Sequence, residues 1–399
     1  MGLTADNLLD ALAVCSGKRA TGTAEIVDLV HQAEPSLAPT LFAAWEAAGA
    51  ELTPAMRDEL EIGRRRVAYY RAVLERLRAK VPELATVKGL EVAGLYPPGF
   101  IRNMSDLDLV APSEQDQWEI ARLLMQEEGW DLDSATFMRL NGDLYVMVSM
   151  RHPHENPDQP PYGAEITTYY TLGNQGGIPP VLSLPAKWRV PAVKNLLMLL
   201  NERYEQRYRA RDLTDASLLR AQLSEAEAGT LVRAVVALGL AAEYAELTRL
   251  VAAAGLGQLP ALPGRQWTVA RVWGRRLARN VSFFARPLAG TGRQLQRRFM
   301  TGRMGPVDGL AWRAFERCLR TQSAIDAGLL AFGLPLDGLP PQVSTAALHF
   351  RGRLGWADTP VARFVLTIGE AVSQSAVDEL SGPDHTRPAG PEAVAEAAT

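Results

Sequence analysis

The run Ser105-Asp106-Leu107-Asp108-Leu109-Val110 alternates polar and apolar residues without a break. A period of two suits a half-buried strand and has no use in a helix. Side chains two apart on a strand share a face, roughly 6–7 Å apart. Asp106 and Asp108 are therefore expected side by side, with Leu107 and Leu109 turned toward a core. Two like charges presented together are costly unless a cation or a polar network compensates them. Any fold of this chain must supply a sheet here, although residues 1–80 read as helix. Within 59–80, Tyr70, Val73, Leu74 and Leu77 fall at i, i+3, i+4 and i+7, the spacing of one buried helical face. The arginines among them, Arg64, Arg65, Arg66, Arg71, Arg76 and Arg78, suit a solvated face.

The residues around the alternating run extend the sheet. Val81-Pro82 ends the helical pattern, and an apolar run over 84–87 leads into Lys88-Gly89. Residues 90–95 can form a turn or two of helix before Pro97-Pro98-Gly99 stops it. Pro112-Ser113 opens the next helix, with Ser113 and Asp116 as a capping pair and Ile120, Leu123 and Leu124 as its apolar face. Residues 144–150 and 164–172 are strand candidates, and the four prolines between 151 and 162 make a loop. The expected fold class is α+β and mostly helical: a small mixed-sheet core over 81–190, flanked by helical regions at 1–80, 191–260 and 261–380. Further helices are expected around 312–330 and 360–380, and residues 381–399 read as a mobile tail.

Composition excludes several classes. The 399 residues are 47% apolar and 22% charged, which rules out collagenous or wholly disordered chains. Only Cys15 and Cys318 carry thiols, so no disulfide framework is available and a reducing, cytoplasmic setting is expected. No signal peptide and no transmembrane segment is expected, since Asp6 and Asp10 interrupt the first apolar stretch and Glu243 ends the most apolar window. Charge is uneven. Residues 265–303 hold ten arginines and no acid, a local +10 that leaves −13 on the rest of a chain of net charge −3. Interleaved with Trp267, Trp273, Phe283, Phe284 and Phe299, this segment can bind RNA or another anionic partner. The plainer reading packs the aromatics in a core and pairs the arginines with the acidic remainder.

A bare D-x-D is most often an ordinary surface strand, and a Lys-Gly turn is common. Together, Val87-Lys88-Gly89, Tyr96-Pro97, Arg102 and Ser105-Asp106-Leu107-Asp108-Leu109-Val110 resemble the signature of the uncharacterised nucleotidyltransferase family, within the DNA polymerase β-like superfamily. A later Arg211-Asp212-Leu213-x-Asp215 segment also has a counterpart in that family, and the resemblance covers roughly residues 25–225. It implies that two Mg2+ ions are held by Asp106 and Asp108. The superfamily's third carboxylate, which would complete the metal site, is best matched by Glu165 in Glu165-Ile166-Thr167, where Glu replaces Asp and Thr replaces the family's frequent His. Lys88, Gly89, Arg102, Ser105 and Lys194 would contact the nucleotide, with Asn195 beside Lys194 in reach of the phosphates. The implied reaction moves a nucleoside monophosphate from an NTP, expected to be ATP, to a hydroxyl or phosphate acceptor, and Glu165 helps deprotonate that acceptor. A specialised biosynthetic role in a bacterium with a GC-rich genome is the accompanying expectation.

The reading from another class is a catalytically silent protein of the same fold that binds a peptide, protein or RNA through 265–303. His152-Pro153-His154 lacks partner ligands at metal-binding spacing and reads as loop. Gly290-Thr291-Gly292-Arg293 lacks the strand-before-helix context of a phosphate-binding motif and reads as a turn.

Overall fold

The computed structural model describes residues 3–140, 142–157, 159–170, 184–203, 206–262, 295–296, 305–318, 320–338, 340–369, 377–378 and 380. The expected tail at 381–399, the glycine turn at 290–293 and the basic segment, save Leu295 and Gln296, lie outside them. In chain order the elements are α1 (Ala5–Ser16), α2 (Thr23–Ala33), α3 (Ala38–Ala47), α4 (Pro54–Lys80), β1 (Ala85–Thr86), α5 (Gly89–Ala93), β2 (Asp106–Val110) and α6 (Glu114–Glu127). There follow β3 (Asp131–Leu140), β4 (Asp143–His152), β5 (Tyr162–Thr167), α7 (Pro191–Glu202), α8 (Ala210–Ala221), α9 (Glu225–Ala237) and α10 (Ala241–Ala253). The last are α11 (Pro306–Cys318), α12 (Thr321–Asp326), β6 (Ala331–Pro335), β7 (Ala347–Arg351), β8 (Leu354–Asp358) and β9 (Arg363–Thr367). The fold class is α+β with a mixed sheet. No helix among the described residues is long and apolar enough to cross a membrane.

The chain divides into two compact units. The first comprises 1–123, 127–130 and 151–286, and the second 124–126, 131–150 and 287–399.

In the first unit, local chemistry sets the helix ends. Thr4 and Asn7 form a reciprocal capping box at α1, Thr53 caps α4 by accepting from the Met56 N–H, and Ser113 caps α6 by accepting from the Asp116 N–H. On α4, Tyr70, Val73, Leu74 and Leu77 are buried, as their spacing requires. A helical core gathers Leu8, Leu12, Phe42, Leu196, Leu200, Leu213 and Tyr244, each at most 2% exposed. Strand β1 runs antiparallel to β2, and β2 runs parallel to β5. Leu107 and Leu109 are buried while Asp106 and Asp108 occupy the opposite face, the arrangement that the alternation demands. Gln117 on α6 donates to the Ile166 carbonyl at 2.8 Å, fastening that helix to β5.

The second unit orders its strands β4-β3-β6-β9-β8-β7, antiparallel from β3 through β7. This corrects the helical expectation for 261–380: α12 falls inside the helical stretch expected near 312–330 and α11 overlaps its start, but residues 331–367 hold four strands, and β9 lies where a helix is expected at 360–380. Phe364, Val365 and Leu366 on β9 are consecutive and all buried. A short strand covered on both faces reads as an unbroken apolar run, which periodicity alone does not separate from a buried helix. Strand β3 was also not anticipated.

Gly333 on β6 is required by close approach. A Cβ there would lie 2.8 Å from Phe137 Cε2 and 2.9 Å from Phe364 Cβ. Those two rings meet edge to face at 5.7 Å between centroids. Gly333→Ala is expected to destabilise this unit by about 1–3 kcal/mol through overpacking. Urea unfolding followed at the second unit's tryptophan fluorescence checks it, and an unchanged midpoint would contradict the packing.

Candidate active site

Parallel pairing of β2 with β5 sets Asp106 opposite Gly163 and Asp108 opposite Glu165. The sequence could place the two aspartates on one face but not choose their neighbour. A shared hydroxyl reinforces the register: Tyr70 on α4 donates to the Ser105 carbonyl at 2.5 Å and accepts from the Gly163 N–H at 2.9 Å. Burial pushes the Tyr70 phenol up to about 12, so it remains a donor at physiological pH. Tyr70→Phe loses both bonds and is expected to cost about 1–2 kcal/mol, because two part-buried hydrogen bonds of the β2–β5 edge are lost. Chemical denaturation of the variant tests this, and wild-type stability would count against it.

Lys88, Gly89, Arg102, Ser105, Asp106, Asp108 and Glu165 all line one cavity of about 230 Å3. Lys88 precedes α5 with φ of 55°, a positive value that only this non-glycine residue adopts among the described residues. Such backbone is sparsely populated and must be held by its surroundings. Asn195 on α7 holds it, its Oδ1 accepting from the Lys88 N–H at 2.5 Å. Gly89 is not the unusual residue of the turn: a Cβ there would meet Asp106 O and Met104 Sδ only at 3.8 Å, ordinary contact.

The charges within the cavity are extensively paired. The Lys88 ammonium bonds the Glu202 carboxylate and lies 4.0 Å from Asp108. Burial opposes the lysine's charge, yet Asp108 and Glu202 hold it protonated. Burial also drives the Asp108 carboxyl above the usual range, against the pull of Lys88 and with repulsion from Asp106 and Glu202. Arg102 is buried and grips Asp215 through Nε at 2.9 Å and Nη2 at 2.7 Å, while the Tyr96 hydroxyl donates to the same carboxylate at 2.7 Å. Ser105 donates to Asp106 Oδ1 at 3.1 Å.

Lys194 does not line the cavity. It is buried, donating to the Thr86 carbonyl at 2.8 Å and pairing with Glu91 at 2.8 Å. Its neighbour Asn195 also bonds Glu91, at 2.9 Å, so both side chains secure the β1–α5 turn. The expected nucleotide contact by Lys194 is thus replaced by a structural one, because a buried ammonium must be satisfied within the fold.

Glu202, Arg209 and Asp212 line the same cavity and received no role from the sequence. One signal existed for Glu202. It is the last residue of α7, where the helix dipole disfavours a carboxylate, so a compensating cation is needed. Asp212 accepts from the Arg209 N–H at 2.8 Å as the third residue of α8, and burial pushes its carboxyl up to about 6. His152 and His154 lie apart from this cavity, stacked in a ring cluster with Tyr69 and Tyr162.

The donor chemistry suits a hard divalent ion. Mg2+ takes one or two carboxylates and completes its shell with water and substrate phosphates, and Asp106 and Asp108 are such a pair, carrying a charge that one shared lysine offsets incompletely. A cage made by the protein alone is not preformed: among the described residues no group of three or more His, Cys, Asp or Glu side chains is arranged to hold a metal ion.

No protein-family model and no curated protein matches the chain. Among solved structures, MenT4, a nucleotidyltransferase toxin from Mycobacterium tuberculosis H37Rv, is similar over 75% of this chain and 97% of that chain, with 15% identity and a TM-score of 0.25. So loose an overlay transfers neither residues nor activity.

Proposed function

We propose that this chain is a Mg2+-dependent nucleotidyltransferase that moves a nucleoside monophosphate from an NTP, with ATP the expected donor, to a hydroxyl or phosphate acceptor in a specialised biosynthetic reaction. The observation that carries the reading is the β2–β5 register, which sets Glu165 beside Asp108 on the cavity that Asp106 and Lys88 also line. Asp106 and Asp108 would hold Mg2+ together with the substrate phosphates. When bound, the ion supplies charge neutralisation of the triphosphate and of the leaving pyrophosphate.

The protein's own groups do the remaining work. Glu165 accepts the proton of an acceptor hydroxyl as its oxygen bonds the α-phosphorus, and the bond from that phosphorus to pyrophosphate breaks. The Asn195 bond fixes the Lys88 turn and keeps its ammonium beside Asp108, limiting the repulsion between the two aspartates as substrate approaches. Arg102, closed on Asp215, braces the wall behind them rather than meeting the phosphates.

The test is incubation with each labelled NTP and Mg2+, wild type against Asp108→Asn, reading pyrophosphate release and thermal stabilisation by Mg2+-NTP in parallel. Release and stabilisation by the wild type alone support the reading. Equal background signals from both proteins remove it.

A further inference from the structure

We infer that Arg209 is the residue that recognises the polyphosphate of the nucleotide, in place of Lys88 and Arg102, an inference that rests on the transferase reading for the ligand's class. Among the described residues four cations line the cavity: Lys88, Arg102, Arg209 and Arg211. Three are committed. Lys88 is paired with Glu202, and Arg102 is closed on Asp215 with both side chains at most 7% exposed. Breaking the buried Arg102–Asp215 pair to meet a phosphate would leave a carboxylate uncompensated, and in the part-exposed Lys88–Glu202 pair one ammonium already serves both Glu202 and Asp108. Arg211 gives Nη1 to the Asn103 carbonyl at 3.3 Å and is drawn toward Glu34 and Asp212.

Arg209 differs. Its backbone N–H is satisfied by Asp212, but among the described residues its guanidinium has neither a carboxylate nor a carbonyl partner. It stays unpaired in a cavity that also holds Asp106, Asp108, Glu165, Glu202 and Asp212. The second observation is independent: Arg211 Nε is buried without a hydrogen-bond partner, on the residue two positions along and on the same cavity. A free guanidinium fork with an unsatisfied donor nearby matches the oxygens of adjacent phosphoryl groups, which planar bidentate donors bind better than an ammonium does.

Isothermal titration of the full chain with inorganic tripolyphosphate, and with ATP in Mg2+ and in EDTA, tests the assignment. Arg209→Gln is expected to weaken tripolyphosphate and ATP binding about 10-fold or more. Arg209→Lys should recover part of the loss, because charge returns without the fork. The double substitution of Lys88→Gln with Glu202→Gln, which removes the pair without changing the cavity's net charge, should weaken tripolyphosphate binding by less than about 3-fold, since the lysine's charge is already met within the protein. Circular dichroism of each variant checks that it folds, and Arg209→Lys carries the comparison where Arg209→Gln does not.

A larger loss in the Lys88→Gln, Glu202→Gln pair than in Arg209→Gln overturns the assignment, as does a wild type that does not bind tripolyphosphate. The transferase reading stands or falls separately. Tripolyphosphate binding through Arg209 with no pyrophosphate released from any NTP keeps the anion site and removes transfer. Pyrophosphate release with unchanged KM in Arg209→Gln keeps transfer and removes Arg209.

Discussion

Asp108→Asn is expected to lower pyrophosphate release about 1000-fold or more while raising the melting temperature of the folded chain. The catalytic loss follows from removing one of two carboxylates that would hold the metal-bound triphosphate, worth about 4 kcal/mol of transition-state stabilisation. The gain in stability follows from burial. Desolvation drives the Asp108 carboxyl above its usual range even with Lys88 at 4.0 Å, so its ionised form is a cost that folding bears at neutral pH. Asparagine keeps the shape and removes the charge. Lys88 is not orphaned by the change, because Glu202 still holds its ammonium. A gain of about 1–3 kcal/mol corresponds to the rise of that carboxyl from 3.8 to about 6. Differential scanning fluorimetry and the labelled-NTP assay, run on the same preparations, read both effects. A variant that is inactive and also less stable would mean that Asp108 is a structural anchor rather than a site held charged for chemistry.

The second large effect concerns pH. Glu34 is 4% exposed and accepts from the Ala210 N–H at 2.7 Å and the Arg211 N–H at 3.2 Å, at the start of α8. Burial outweighs those bonds and the Arg211 charge, raising its pKa from 4.5 to about 7. The folded chain therefore keeps this proton to a higher pH than the unfolded chain does. Between pH 4.5 and about 7 the unfolded state sheds the proton first, and stability falls as pH rises. The full loss is about 3 kcal/mol above that window. Asp212, pushed up from 3.8 to about 6 chiefly by burial, adds a contribution of the same sign at slightly lower pH. Glu34→Gln removes the larger part of this limb and retains one acceptor for the helix N–H groups. Urea unfolding at pH 4.5 and 7.5 should show the difference between the two conditions shrink by about 3 kcal/mol in the variant. An undiminished difference would place the titrating group elsewhere.

Much of the candidate site was legible because it depends on short-range periodicity. The alternation over 105–110 alone sends Leu107 and Leu109 inward and leaves Asp106 and Asp108 on the other face, and Ser113 starts α6 through its own side chain. Glu165 comes from the resemblance, as the best match to the superfamily's third carboxylate, and the structure supplies its register against Asp108. The second unit was misread where β9 packs three consecutive apolar residues, since a strand covered on both faces carries no alternation.

Local spacing along one segment settles which side chains share a face, because backbone geometry repeats every two or 3.6 residues. It is silent on which cation meets which carboxylate. Lys88 closes on Glu202, more than a hundred positions away, Arg102 closes on Asp215, and Lys194 turns from the cavity to the Thr86 carbonyl. Those pairings come from how α7 and α8 pack against the β1–α5 turn and β2. Buried charges take whichever opposite partner that packing brings within reach, and the cation left over, Arg209, is identified only once the others have been spent.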